Sequence, residues 1–179
     1  MATNINTAFN VGSPATATLT IASPSGNDRK VVAVLLQERS SESISSAPTL
    51  NGITATAQVG TVITSSNIQH AAIFYWDEAD LPATAGNYSV TATGPGEASL
   101  SAISADGVAQ GAQSDLRSSA IDGTSATSTL SLAGVGALLV GGFVRNSGAG
   151  TVTPEVGQTL LMTDTAEGSS HQISSYASD

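Results

Sequence analysis

The 179-residue sequence contains no cysteine, which removes disulfides, thiol catalysis and thiolate metal sites together. Basic residues are almost as scarce. Five Lys plus Arg stand against fourteen Asp plus Glu, a formal charge of −9. No basic stripe is left to follow a phosphate backbone, which argues against a nucleic-acid partner. The most apolar run, residues 132–144, is 13 residues long and holds four glycines, whereas a spanning helix needs about 20 apolar residues. No membrane segment is expected. The start, Met1-Ala2-Thr3-Asn4-Ile5-Asn6-Thr7, has neither a basic n-region nor an apolar h-region, so a secretory signal is not expected either. Synthesis in a host cytoplasm followed by display on a particle released by lysis fits all of these conditions.

Ala, Ser, Thr and Gly make up 92 residues, just over half the chain, yet the hydrophobic fraction of 40% suffices for a core. A chain of this length suits one domain and can bury roughly 70% of its unfolded surface. Helical periodicity is nearly absent. Thr16-Ala17-Thr18-Leu19-Thr20-Ile21 alternates with the two-residue period of a half-buried strand. Lys30-Val31-Val32-Ala33-Val34-Leu35-Leu36 reads as a central strand covered on both faces. Asn51-Gly52 between Thr49-Leu50 and Ile53-Thr54 is a hairpin signal, because Asn-Gly accepts the positive φ angles of a type I′ turn. Further strands are expected over 71–76, 88–93 and 98–104, the first two as hairpin partners. Residues 107–123, rich in Gln, Ser, Asp and Gly, read as a surface connection.

After that connection the pattern restarts. Residues 126–133 echo 15–22, Ala137-Leu138-Leu139-Val140 echoes Val31-Val32-Ala33-Val34, Gly157-Gln158-Thr159 echoes Gly52-Ile53-Thr54, and His171 precedes Tyr176 as His70 precedes Tyr75. The result is a degenerate two-fold internal repeat, half-repeats 15–105 and 125–179 joined by 106–124, of the kind expected when similar β-halves pack face to face. The second copy lacks a counterpart to strand 88–93. Its sheet edge is left short, a neighbouring subunit covers it, or the chain continues. The expected fold is all-β, a jelly-roll-like β-sandwich of about ten strands over 15–179, preceded by a polar N-terminal arm, 1–14. An Ig-like sandwich is the nearest competitor, but its Cys-Trp-Cys pattern is missing.

Catalytic signatures are lacking. His70 and His171 show no His-x-His or His-x₃-His spacing for zinc and read as edge histidines. No Gly-x-Ser-x-Gly elbow occurs, Gly134-Val135-Gly136 opens a strand rather than a helix, and Gly94-Pro95-Gly96-Glu97 is a turn. Asp77, Glu78 and Asp80 could form a carboxylate pair or, like Asn27 with Asp28, a calcium site, but they read as a solvated loop. No cofactor, metal or catalytic residue is therefore expected. Of the aromatics, Phe74 and Trp76 share one face of a strand and are assigned to the core, leaving Tyr75 and Tyr88 as the best candidate sugar face.

Taken together, the strand Arg29-Lys30-Val31-Val32-Ala33-Val34, the turn Asn51-Gly52-Ile53-Thr54, Ala72-Ile73-Phe74-Tyr75-Trp76 with Ala85-Gly86-Asn87-Tyr88-Ser89-Val90-Thr91, and Ala102-Ile103-Ser104-Ala105-Asp106-Gly107-Val108 resemble jelly-roll domains of phage structural proteins and large bacterial surface proteins. The resemblance runs from about Ala15 to Tyr176 and departs at the C-terminus, where a final strand would be expected. A free-standing domain of this kind resembles the decoration (cement) proteins of tailed-phage capsids. That implies a non-enzymatic homotrimer on the capsid exterior of the virion, bound to the major capsid protein. The arm residues Ile5, Phe9 and Val11 are the candidate partner interface, able to add a strand to an exposed edge. The competing expectation is a carbohydrate- or receptor-binding module of a tail fibre or adhesin, using Tyr75 and Tyr88.

Overall fold

Six apolar residues in succession, 31–36, leave no face of an extended segment for water, so that segment must lie between two layers. The computed structural model, which describes residues 2–22, 28–39, 46–59, 68–93, 98–111, 138–145, 157–164 and 171–178, places it there. In chain order the described strands are β1 (Thr3–Gly12), β2 (Ala15–Ile21), β3 (Lys30–Arg39), β4 (Thr49–Leu50), β5 (Ile53–Thr54), β6 (Thr56–Val59), β7 (Ile68–Trp76), β8 (Gly86–Ala92), β9 (Ala98–Asp106), β10 (Leu138–Arg145), β11 (Thr159–Asp164) and β12 (His171–Ser178). That is twelve, against the ten or so expected. A single 3₁₀ turn, Glu78–Asp80, is the only helical element among the described residues.

The strands form three antiparallel sheets, of order β1-β9-β3-β7-β6, β2-β8-β4-β5 and β10-β12-β11. Across the first two, pairing is nested: β1 with β9, β2 with β8, β3 with β7, and β4 with β5. The four-stranded sheet lies face to face with the five-stranded one as a β-sandwich. Its alternation is the one read from sequence, with Ala15, Ala17, Leu19 and Ile21 buried and Thr16, Thr18 and Thr20 exposed. The shared core joins Leu19, Ile21, Leu50 and Val90 to Val31, Leu35, Phe74, Trp76 and Leu100. The three-stranded sheet covers the opposite face of the five-stranded sheet. There Val140 packs on Val34 and Leu36, beside Val11 and Ile73, while Leu138 and Ile5 pack on Ala2, Ala105 and Val108. Double coverage explains β9, all nine of whose residues are buried. Its Ala and Ser side chains are small enough to sit between layers.

The Asn-Gly turn forms as expected. Asn51 and Gly52 have φ of 50° and 82° between the paired β4 and β5. A Cβ on Gly52 would meet nothing within 4 Å, so Gly52→Ala tests backbone strain alone. It should cost about 1 kcal/mol in urea denaturation, and a neutral result would contradict the turn geometry.

Three expectations change. Residues 88–93 are a strand, but β8 pairs with β2 and β4 and not with β7; Pro82 and the turn before it carry the chain from one sheet to the other. The expected arm is β1, paired along most of its length with β9. The alignment of the echoing halves also shifts. β10-β12-β11 has the strand order of β3-β7-β6, and its register matches in detail. Tyr75 lies between Val32 and Thr56 as Tyr176 lies between Val140 and Thr159. β6 then skips one residue between Ala57 and Val59, and β11 skips one at the same place, between Leu160 and Met162. Val32 thus aligns with Val140, two residues from the alignment the apolar echo gives. An even shift keeps every side chain on the same face, which is why the echo was visible at the wrong offset. The counterpart of β2 at 126–133 lies outside the described residues.

Candidate functional site

The two cations that open β3 have the most elaborate surroundings of any side chains described. The register sets Val31 opposite Trp76, so Lys30 and Arg29 meet the acidic residues that follow β7. Arg29, 2% exposed, donates from Nε to both Glu78 oxygens (2.9 and 3.0 Å), from Nη2 to Oε1 (2.5 Å) and from its backbone N–H to Oε2 (2.8 Å). Its Nη1 donates to Ala22 O and Pro82 O at 2.7 and 3.1 Å. Lys30, 1% exposed, donates to Ala109 O and Gly111 O at 2.9 and 3.1 Å. Its ammonium stands 3.0 Å from Asp77 Oδ1, a charge contact rather than an aligned hydrogen bond, and 4.7 Å above the Tyr75 ring. Gly111 N–H donates to Asp77 Oδ2, and Gln110 bridges Glu78 N–H to the carbonyls of Arg29 and Val108.

This arrangement corrects the reading of 77–80 as a solvated loop: Asp80 is exposed, but Asp77 and Glu78 neutralise buried cations. The Asp77 carboxylate fastens the segment 108–111 by accepting from Gly111 N–H, while the Glu78 carboxylate is taken up by Arg29. Bidentate bonding from Arg29 holds the Glu78 carboxyl below its ordinary value, against the opposing effect of burial. A carboxyl with a depressed folded-state value stabilises the fold at pH above its unfolded value and loses that contribution as pH falls through the folded one. Stability should therefore fall on acidification below the ordinary glutamate range. Trp76, the sole tryptophan, provides the fluorescence readout. In Glu78→Gln the acid limb should be shallower, and an unchanged limb would contradict the assignment.

Of the candidate interface residues, only Phe9 is exposed, at 58%. Ile5 and Val11 are half-buried under the three-stranded sheet. Leu160, 47% exposed, lies on β11, which runs against β1. Tyr75 and Tyr88 are not brought together. Tyr75 lies under Lys30 on the face away from the sandwich core, whereas Tyr88 sits at the core's rim with its hydroxyl bonded to Thr84. The outer face of the four-stranded sheet bears hydroxyls instead, Thr16 beside Thr91 and Thr18 beside Ser89, with Thr20 bonded to Asn87.

His70 stands opposite Gln37 and His171 opposite Arg145 in their separate sheets. No group of three or more His, Cys, Asp or Glu able to hold a metal occurs among the described residues. Asp28 is exposed and its carbonyl accepts from Val108 N–H, while Asn27, 94–97 and 134–136 lie outside the described residues. No described helix is long and apolar enough to cross a membrane. Two features escaped the sequence reading. The charge cluster was signalled by two of the five basic residues standing side by side before an apolar strand, with an acidic pair closing another. The second is Asn6 and Asn10, whose carboxamide oxygens accept from the backbone N–H of Thr20 and Thr16 at 2.9 and 3.0 Å and so cap the outer edge of β2.

Comparison with known proteins returns no matching family model, no matching curated protein and no matching solved structure.

Proposed function

We propose that the protein is a structural virion protein of the capsid-decoration kind, non-enzymatic, sited on the capsid exterior and joined to the major capsid protein and to its own copies by protein–protein contacts. The observation that carries this reading is the nested pairing of strands. Orders β1-β9-β3-β7 and β2-β8-β4-β5 support the reading of this sandwich as a jelly roll, the architecture of many viral coat and lectin domains. The residues that carry the sequence resemblance fall on the strands that build it. The matching strand order and register of β10-β12-β11 and β3-β7-β6 support the internal repeat.

Surface chemistry supports a contact role over a catalytic one, since function resides in sites and not in folds. The ionised side chains nearest to a cluster are occupied in holding the chain together. The chain is strongly acidic, and Phe9 stands 58% exposed on β1, the outermost strand of its sheet. An aromatic ring held out on an edge strand is suited to a partner's pocket. The test is co-sedimentation with phage heads. The wild-type protein should bind in many copies per head, and Phe9→Ser, which costs the fold little, should weaken binding about tenfold, the equivalent of about 1.4 kcal/mol. Heads that sediment without the protein would overturn the reading.

A further inference from the structure

We propose that Lys30 and Asp77 are the two halves of an intramolecular amide cross-link, formed by the folded chain itself with release of one water. The register of the central strands brings them together. Val31 stands opposite Trp76 on the paired β3 and β7, so the residues one step outward, Lys30 and Asp77, meet. Nζ of Lys30 lies 3.0 Å from Oδ1 of Asp77. That oxygen is buried and accepts no hydrogen bond. Nitrogen and carboxyl therefore touch without the alignment of an ordinary hydrogen-bonded ion pair.

The surroundings suit the reaction on both partners. Ala109 O and Gly111 O accept from Nζ at 2.9 and 3.1 Å, which uses two N–H bonds. The remaining position on the nitrogen, a third N–H in the ammonium or the lone pair in the amine, is left for Asp77. Lys30 is 1% exposed, and the Tyr75 ring lies 4.7 Å from Nζ, so water has little access to the nitrogen. A lysine amine shielded in this way is a competent nucleophile. On the other side, Asp77 Oδ2 accepts from Gly111 N–H at 2.9 Å. A fixed backbone donor there polarises the carboxyl and stabilises the oxyanion that attack on Cγ produces. Holding the groups in contact makes the condensation intramolecular, which lowers its entropic barrier.

One proton crosses the contact from Nζ to Oδ1, leaving an amine beside a carboxylic acid. The nitrogen lone pair forms the Nζ–Cγ bond, the Cγ–Oδ1 bond breaks, and Oδ1 departs as water with a second proton from the nitrogen. Oδ2 stays as the amide oxygen, still facing Gly111 N–H, and the one N–H left on Nζ keeps a carbonyl partner. Ammonium plus carboxylate becomes amide plus water, so no co-reactant is needed. The Asp77 side chain is 22% exposed, which gives the water a way out. The product is uncharged, and the cost of holding two ions away from solvent disappears with it.

Mass spectrometry of the full chain under denaturing conditions provides the test. The wild-type protein should be lighter than its sequence by one water, and its digest should contain a branched peptide joining Lys30 to Asp77. Lys30→Arg and Asp77→Ala should keep the full masses of their sequences. Asp77→Asn should close to the same amide by releasing ammonia, and so reach the wild-type mass. Because the chain has no cysteine, no disulfide can be mistaken for the bridge. A folded wild-type chain with the full mass of its sequence would mean an ion pair only and would overturn the proposal. So would a missing water that maps to other residues, such as Asp106-Gly107. Binding to phage heads plays no part in these readouts, so the decoration role and the cross-link fail separately.

Discussion

Trp76→Ala should lower folding stability by about 4 kcal/mol, in the range observed for deleting a large buried aromatic. The ring is fully buried at the end of β7, packed in the core shared by the two sheets of the sandwich. Its indole N–H donates to Ile53 O at 2.8 Å, so one side chain links β7 of the five-stranded sheet to β5 of the four-stranded sheet. Small residues dominate the rest of this core: Ala15, Ala17, Ala33, Ala72, Ala92, Ala98 and Ala102 all belong to it. They cannot move to fill a space of indole size, which places the cost in the upper part of the range. Trp76→Phe retains most of the volume but not the donor. Because Ile53 is 42% exposed, water can take over its carbonyl, and the loss should be nearer 1.5 kcal/mol. Urea denaturation followed by circular dichroism measures both. A loss below about 1 kcal/mol for Trp76→Ala would mean that the sheets are not joined through this ring.

What could be read from sequence was what depends on local periodicity. The alternation in 16–21, the uninterrupted apolar run at 31–36 and the Asn-Gly turn each encode one strand or hairpin whose surroundings follow from its own side chains. The sheet to which a strand belongs depends on partners far along the chain. For that reason 88–93 was recognisable as a strand but mistaken for the hairpin partner of β7. β1 was hidden for a related reason. Its even positions, Asn6, Ala8 and Asn10, face the sandwich, while Ile5 and Val11 pack under a different sheet. A strand that meets carbonyl-seeking amides on one side and scattered apolar contacts on the other shows no alternation of its own. The charge cluster needed the β3–β7 register before Arg29 could be matched with Glu78. Position 31 opposite 76 is a tertiary fact, although the charge signs at the two ends hinted at it.

The same cluster leads to an asymmetric prediction. Glu78→Ala should cost about 3 kcal/mol, because it strands a guanidinium only 2% exposed without its counter-ion. The figure sits at the low end for a broken buried pair because the Glu78 side chain is 33% exposed and water can reach part of the site. Arg29→Met leaves a carboxylate that rehydrates more readily, but it also frees the carbonyls of Ala22 and Pro82 and the aligned acceptors of Glu78. The double variant Arg29→Met with Glu78→Ala should cost less than the two single changes added together, with a coupling of about 2 kcal/mol, since no unpaired charge remains. Additive losses would show that the pair is screened as an exposed ion pair would be. Because the pair shares its end of the sandwich with Lys30, Asp77 and Gln110, Glu78→Ala should also raise amide exchange at Gly111, whose N–H bonds Asp77, more than at Val90 in the core. That contrast separates a loosened chain exit from a general loss of stability.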